Sequence, residues 1–107
     1  MAHTNALAAL ADPTRRRVFE QLRGGGKAVG RIAAGMPVSR PAVSQHLKVL
    51  EEAGLVRHER QGTRNIYAID PAGLGALRRW LDGFWDEALD AFRTEIEAET
   101  KQRGKKR

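Results

Sequence analysis

Residues 39–54 have the sequence Ser-Arg-Pro-Ala-Val-Ser-Gln-His-Leu-Lys-Val-Leu-Glu-Glu-Ala-Gly, which predicts one short helix with both ends marked. Ser39 is a favourable N-cap, because its hydroxyl can accept a hydrogen bond from the N–H of Ala42. Pro41 lies in the first turn, where its missing N–H costs nothing. Gly54 stands just past the helix end, where a left-handed backbone is favoured. The stretch is therefore expected to fold as a self-contained helix.

This helix has two chemically different faces. Its apolar side chains recur at steps of four, three and three residues, which predicts a stripe facing the core: Val43, Leu47, Leu50 and Ala53. The other face has hydrogen-bond donors near its N-terminal end, from Arg40, Ser44, Gln45 and Lys48, with His46 beside them. Acids occur only at the C-terminal end, an arrangement that suits insertion into the DNA major groove. An ordinary amphipathic surface helix remains the alternative from this stretch alone.

Length and composition exclude several classes of protein. A chain of 107 residues is expected to form one domain, over residues 1–100. It has no cysteine, which removes disulfides, thiolate metal ligands and thiol redox sensing. No stretch approaches the roughly 18 apolar residues of a membrane span, so no membrane partner is expected. Residues 1–11 lack the basic and apolar regions of a secretory signal, and we expect a cytoplasmic protein.

The net charge of +6 is unevenly distributed. Residues 14–64 contain eleven Lys or Arg against four Glu, whereas residues 65–100 contain three Arg against eight acids. The basic half includes the helix at 39–54, which predicts a polyanionic partner such as double-stranded DNA. The last seven residues, 101–107, contain five cations and are expected to be a disordered, solubilising tail that adds at most weak phosphate affinity.

The segments before this helix predict three further helices. Residues 4–11 favour a short alanine-rich helix, and Asp12-Pro13 then forms the start of a second helix that runs to about Arg23. Its first-turn arginines at 15–17 oppose the helix dipole, so we expect them to contact phosphate or acidic side chains elsewhere. A third helix over 27–34, a glycine-containing turn and the helix at 39–54 together form a helix-turn-helix pattern.

After Gly54 the hydrophobic period changes to that of strands. Residues 55–60 and 64–69 predict a β-hairpin around Gln61-Gly62-Thr63, where the glycine allows a positive φ. The hairpin is basic, and we expect it to contact phosphate or the minor groove through Arg57, Arg60, Thr63 and Arg64. A solvated hairpin whose charges protect its edge from pairing is the alternative.

The last predicted helix, residues 74–100, has more apolar side chains than one face of a small domain can bury, so a monomer would leave many of them exposed. We therefore expect it to form a homodimer interface, with the first helix packed alongside it. The side chains expected in that interface are Leu7, Leu10, Leu77, Trp80, Leu81, Phe84, Trp85, Ala88 and Phe92.

Three runs of this sequence resemble the ArsR/SmtB-type winged helix-turn-helix repressors. They are residues 10–18 (Leu-Ala-Asp-Pro-Thr-Arg-Arg-Arg-Val), residues 44–56 (Ser-Gln-His-Leu-Lys-Val-Leu-Glu-Glu-Ala-Gly-Leu-Val) and the hairpin at 57–69. Residues 80–89 are similar to a cysteine-free subgroup, the SdpR-type autorepressors. The resemblance implies a mainly α fold in the order α-α-α-α-β-β-α. It also implies a homodimer on an inverted repeat, usually in the protein's own operon.

The resemblance further implies that the helix at 39–54 is the recognition helix and the hairpin is the wing. The residues expected to contact DNA are Ser39, Arg40, Pro41, Ala42, Ser44, Gln45, His46, Lys48, Arg57, Arg60, Thr63 and Arg64. Among them, the residues expected to read base edges are Arg40, Ser44, Gln45 and Lys48.

The sequence departs from the metal-sensing members of this family. No cysteine is available, and the last helix contains no histidine, so neither a metal site nor a cofactor is expected. Asp82, Asp86 and Asp90 share a helix face with Glu87 nearby, which would suit only a hard cation and is more typical of a solvated face. An effector, if one acts, would be a protein or a small molecule.

Two alternatives to a specific repressor stay open at this point. One is a nonspecific or architectural DNA-binding protein, and the other is a protein-interaction module acting through the apolar last helix. An enzyme is not expected, because no cysteine nucleophile, phosphate-binding glycine motif or Ser/His/Asp set is present.

Overall fold

The computed structural model describes the backbone of residues 2–105 and the side chains of residues 5–101. In chain order the elements are α1 (Ala2–Ala11), α2 (Pro13–Glu20), β1 (Lys27–Ala28), α3 (Val29–Ala34), α4 (Arg40–Glu52), β2 (Val56–Gln61), β3 (Arg64–Ile69) and α5 (Pro71–Lys105). The strands form an antiparallel sheet in the order β1-β3-β2. The predicted winged helix-turn-helix architecture is confirmed, with one strand more than the sequence indicated.

The added strand shortens the third helix. The helix expected over 27–34 begins only at Val29, because Lys27 and Ala28 pair with Tyr67 and Ile66 of β3. This pairing joins residues far apart in sequence, and two residues are too few to show a strand period. Upstream, α2 ends at Glu20 and the chain continues in turns, so the helix expected to reach Arg23 is also shorter than predicted.

Both predicted caps of α4 are present. The Ser39 hydroxyl accepts a hydrogen bond from the Ala42 N–H at 3.3 Å. At the other end Gly54 has a φ of +79°, and its N–H donates to the Glu51 carbonyl at 3.0 Å. The Leu55 N–H reaches back to the Leu50 carbonyl, also at 3.0 Å. These two bonds form a Schellman motif, which ends the helix and turns the chain into β2.

One apolar core holds the helices and the start of the hairpin together. The largest fully buried side chains come from α2 and the turn after it, from α3, from α4 and from the α4–β2 connection: Val18, Leu22, Ile32, Val43, Leu47, Leu50, Leu55 and Val56. Among the residues with described side chains, none that is polar or charged is buried. Because the apolar stripe of α4 is used in this way, its polar face points away from the core.

The last helix is longer than predicted at both ends. It begins at Pro71 instead of Leu74, where the Asp70 carboxylate accepts a hydrogen bond from the Ala72 N–H at 3.0 Å. It continues to Lys105, so residues 101–105 are helical where a disordered tail was expected. The tail residues 106 and 107 lie outside the described residues.

The chain divides into two compact units. The first, the winged-helix unit, extends to Leu77, and the second starts at Arg78 within α5. A single domain over residues 1–100 stays a prediction. Among the described helices, none is long and apolar enough to cross a membrane.

Candidate nucleic-acid interface

The exposed face of α4 presents most of the side chains expected to contact bases. Ser44, Gln45 and Lys48 are exposed, as are Ser39, Arg40 and Pro41 at the start of the helix, while Ala42 and His46 are half-buried. Arg40 and Lys48 only donate hydrogen bonds, whereas the hydroxyls of Ser39 and Ser44 and the amide of Gln45 can both donate and accept. An amide of this kind can pair with adenine through two hydrogen bonds in the major groove.

His46 faces the start of α2 as well as the surface of α4. The Asp12 carboxylate accepts a hydrogen bond from the Arg15 N–H at 2.9 Å, and this bond is the main reason why the pKa of Asp12 is lowered from its ordinary value of 3.8. Burial opposes this effect, and charge interactions with Arg15 and then with His46 lower the pKa of Asp12 by smaller amounts. His46 on α4 therefore lies within electrostatic range of the Asp12 carboxylate at the start of α2.

Two of the three arginines at 15–17 contact the preceding helix. Nη1 of Arg15 donates to the Ala9 carbonyl and Nη1 of Arg16 to the Leu10 carbonyl, each at 3.3 Å. Both carbonyls lie in the last turn of α1, whose negative dipole end favours cations. The structure thus gives Arg15 and Arg16 backbone partners at the end of α1, and Arg15 also interacts with the acidic Asp12. The sequence could not show the backbone partners, because the end of α1 was not identified as their neighbour. Phosphate contact by these arginines stays a prediction.

The wing is a hairpin with a two-residue turn. Gln61 pairs with Arg64, and Gly62 between them has a φ of +64°, which confirms the predicted role of that glycine. Nε of Arg60 donates to the Gly62 carbonyl at 3.2 Å and so braces the tip. The four side chains expected to contact DNA from this hairpin, Arg57, Arg60, Thr63 and Arg64, are all exposed.

A polar contact joins the wing to the end of α4. Nδ1 of His58 lies 2.5 Å from Oε2 of Glu51, and the His58 ring packs on Tyr67 with a centroid separation of 5.1 Å. Burial raises the pKa of the Tyr67 hydroxyl above its ordinary value of 10.0, and the charge of Glu51 raises it further. Tyr67 therefore stays neutral and supports a contact that fixes the wing relative to α4.

A basic cleft lies between the wing, α3 and the N-terminal end of α4. Its volume is about 460 Å³, and it is lined by Ala28, Val29, Gly30, Arg31, Ala34, Arg40, Thr63, Arg64 and Asn65. Three of these residues are arginines and none is an acid. Arg31 was not among the residues predicted to contact DNA. Its one sequence signal is that it is the only charged residue between Lys27 and Arg40.

Comparison with known proteins agrees with this geometry. A family model described as a helix-turn-helix domain matches residues 10–59. The HTH-type transcriptional regulator Rv2034 of Mycobacterium tuberculosis is 55% identical over 91 residues, covering 85% of this chain and 85% of the relative. The transcriptional repressor SdpR of Bacillus subtilis is 32% identical over 80 residues, covering 75% of this chain and 89% of that protein.

A solved structure extends the agreement to the whole winged helix. The homodimeric winged helix-turn-helix domain Mb0332 from Mycobacterium bovis, a possible ArsR-family regulator, superposes with a TM-score of 0.66 at 29% identity, covering 83% of this chain and 82% of that one. The chain belongs to the ArsR/SmtB-type family of winged helix-turn-helix transcriptional regulators.

The second unit of this ArsR/SmtB-type regulator exposes a large apolar face. Phe84, Trp85 and Phe92 are 61%, 59% and 60% exposed, and the Trp80 ring stacks near Phe84 with a centroid separation of 6.4 Å. Further exposed apolar side chains of this unit are Leu81, Ala88, Leu89 and Ile96. A contiguous apolar surface of this kind is typical of a protein–protein interface.

The other side chains expected at the dimer interface belong to the winged-helix unit. Leu7 is exposed, whereas Leu10 and Leu77 are half-buried against the core of their own unit. Part of the apolar surface of Leu10 and Leu77 is thus already covered within the protomer.

Two acidic residues of α5 make ion pairs within their own helix. Asp82 lies 3.6 Å from Nε of Arg78, and Asp90 lies 4.0 Å from Nη1 of Arg93. In the part of the chain that the structure describes, no three His, Cys, Asp or Glu side chains are grouped so that they could hold a metal ion.

Proposed function

We propose that this regulator is a sequence-specific transcriptional repressor that binds an inverted-repeat operator in DNA as a homodimer. The observation that supports this most directly is the exposed polar face of α4, with a basic wing held beside it by the contact between Glu51 and His58. Two copies of α4 would enter successive major grooves about 34–36 Å apart. The relative SdpR is a transcriptional repressor, which supports repression as the outcome of DNA binding by this chain.

Base recognition is assigned to the middle of α4. Gln45 is exposed at the centre of the polar face, with Ser44 and Lys48 on either side of it. The Gln45 amide would pair with adenine, and Lys48 would donate to guanine. His46 is half-buried and leaves only part of its ring for DNA.

Backbone contact is assigned to the wing. Arg57, Arg60, Thr63 and Arg64 are exposed on a hairpin that is attached to α4 through Glu51. These side chains would contact phosphate and the adjacent minor groove, which gives affinity and orientation with little sequence information.

Dimerisation is assigned to the apolar face of α5. The three aromatic side chains Phe84, Trp85 and Phe92 are more than half exposed, and burying such surface contributes about 25 cal/mol per Å². The homodimeric state of Mb0332 supports the same assembly for this chain. Leu7, exposed on α1, would add to the interface.

The proposal requires neither a catalytic step nor a metal. The chain contains no cysteine, so release from DNA would not use thiolate-bound metal. A protein or small-molecule effector is the remaining means of release, and regulation by protein concentration alone is the simplest scheme. The protein would act in the cytoplasm, on its own operon.

Two substitutions test the division of roles between α4 and the wing. Gln45→Ala should relax preference at one base pair of each half-site, where the wild-type discrimination is worth about 1–3 kcal/mol. Arg64→Ala should weaken binding to all sequences alike. It should also lower the slope of log K against log salt concentration by about 1. Titration against duplexes with single base-pair changes measures both effects. Indistinguishable behaviour of the two variants would contradict the assignment.

A further inference from the structure

We propose that the cleft between α3, the start of α4 and the wing binds one phosphate of the DNA backbone, held jointly by Arg31, Arg40 and Arg64. This inference rests on the proposed function, because it names a second contact within the same DNA interface. It moves Arg40 from the base-reading residues to the phosphate-binding ones, and it adds Arg31, which the sequence did not indicate.

The first support is the convergence of three cations from three separate elements. Arg31 lies on α3, Arg40 at the start of α4 and Arg64 at the start of β3, and all three line the same cleft of about 460 Å³. All three are exposed, and no carboxylate lines the cleft with them. Like charges brought together by folding repel one another, and a bound anion removes that cost.

The second support is the close approach of Arg40 to Gly30. A Cβ added at Gly30 would lie 2.8 Å from Nη2 and 3.0 Å from Cζ of Arg40. The Arg40 guanidinium therefore lies against the backbone of α3, in space that only glycine leaves open. Gly30 and Arg40 both line the cleft, whereas Gln45 does not. The N–H groups of the Arg40 guanidinium are suited to bind a phosphate there.

The third support is the kind of ligand that this position favours. The cleft adjoins the N-terminal end of α4, where the helix dipole adds positive potential. A guanidinium pair that is bidentate to phosphate is a common form of backbone recognition. In this contact the recognition helix and the wing bind the same phosphate. The contact would therefore fix the register of both elements on the duplex.

The experiment replaces single phosphates with neutral methylphosphonates. A duplex selected by the full-length protein from a random pool is synthesised with one methylphosphonate at each backbone position of a half-site in turn. Wild-type protein should lose affinity by about tenfold at the position that contacts the cleft. Arg31→Ala, Arg40→Ala and Arg64→Ala should each be less sensitive than the wild type to replacement at that same position, because each removes one of the three cations that hold the phosphate.

Two controls separate the cleft from general charge and folding effects. Arg57→Ala removes a wing arginine outside the cleft and should keep the wild-type sensitivity at that position. Gly30→Ala displaces the Arg40 guanidinium and should reduce the sensitivity. Alanine favours a helix more than glycine does, so that loss would not come from a weaker α3.

Two results would overturn the inference. In one, the Arg40 and Arg64 variants lose sensitivity at different phosphates. In the other, Arg40→Ala changes base preference and leaves every phosphate effect intact, which would make Arg40 a base-reading residue. In both cases the proposed repressor function would still stand.

Failure of the proposed function is recognised separately, because the pool would then yield no selected sequence. The cleft is tested in that case on random duplex DNA through the salt dependence of binding. If Arg40 and Arg64 share one phosphate, the double variant with alanine at both positions should lower the slope of log K against log salt concentration by about 0.9. That is no more than either single variant lowers it. A change of about 1.8 would mean two phosphates and would contradict the shared site.

Discussion

Glu51 and His58 connect the recognition helix to the wing: Oε2 of Glu51, near the end of α4, lies 2.5 Å from Nδ1 of His58 on β2. Because an ionised carboxylate only accepts hydrogen bonds, Nδ1 carries the hydrogen in this contact. The Schellman motif at Gly54 brings the two side chains together by turning the chain from α4 into β2. The orientation of the wing therefore depends on how α4 ends.

This contact should contribute a modest coupling energy. Both side chains are about one-third or more exposed, at 34% for Glu51 and 41% for His58, so solvent screens the interaction. A double-mutant cycle of Glu51→Gln and His58→Gln in chemical denaturation should give about 0.5 kcal/mol. The matched cycle of Glu52→Gln with His58→Gln should give no coupling, since Glu52 is the exposed neighbour of Glu51 on α4. Equal coupling in both cycles would contradict the contact.

Gly73 should tolerate no side chain. A Cβ at Gly73 would overlap the carbonyl oxygen of Gly54, and both groups belong to backbone that is fixed by hydrogen bonds. Gly73→Ala should lower the free energy of unfolding by about 1–3 kcal/mol, although alanine favours a helix. Gly24→Ala is the control, because a Cβ there would meet nothing within 4 Å. A Gly73→Ala variant as stable as the wild type would show that α5 does not start against the α4–β2 turn.

Asp12 should make stability depend on pH in the acid range. Its pKa is lowered in the folded state, chiefly by the hydrogen bond from the Arg15 N–H, so folding favours the ionised carboxylate. That contribution is fully present above the unfolded-state value of 3.8 and is lost as the pH falls below it through the lowered pKa. Asn can also cap a helix but does not titrate.

Comparison of the wild type with Asp12→Asn therefore isolates the titration of one carboxylate. The difference in free energy of unfolding should be constant at neutral pH and should change in favour of the variant as the pH falls below 3.8. Thermal unfolding followed by circular dichroism over that range measures it. If the difference in free energy of unfolding does not vary with pH, the ionised Asp12 carboxylate does not stabilise the fold more than the neutral Asn cap does.

Phe84 should be required for the dimer. It is 61% exposed in the single chain, and Phe84→Glu places a charge where an apolar partner surface is expected. Sedimentation velocity should show a dimer for the wild type and a monomer for the variant. Arg93→Gln is the control, since it changes the charge by the same amount nine residues, or two and a half turns, further along α5.

A dimer that survives Phe84→Glu would contradict the proposed interface. A wild-type monomer would instead favour the alternative in which the apolar face of α5 binds a different protein.

Local sequence rules account for the start of α2, both caps of α4 and the hairpin turn. Ser39 and Asp12 mark helix starts through backbone groups within three residues, and Gly54 and Gly62 mark positions with positive φ. These features depend only on neighbours in the chain, which is why they could be predicted without any tertiary contact.

Features that depend on distant residues could not be predicted in the same way. Strand β1 exists because Lys27 meets Tyr67 of β3, and two residues have no period of their own. The contact of Arg15 with the end of α1, and the cleft around Arg31, likewise depend on packing between elements. Composition indicated a basic surface, but only the fold shows which arginines share a site and which support a helix.

The central claim is specific operator binding by a dimer, and fluorescence anisotropy with DNA from upstream of the protein's own gene tests it most directly. The competitor is scrambled DNA of equal length, at about 0.15 M salt. The account predicts a preference of roughly a thousandfold or more, with two protomers per site. Equal affinity for both DNAs, lost as salt is added, would contradict it and would leave phosphate neutralisation as the only interaction.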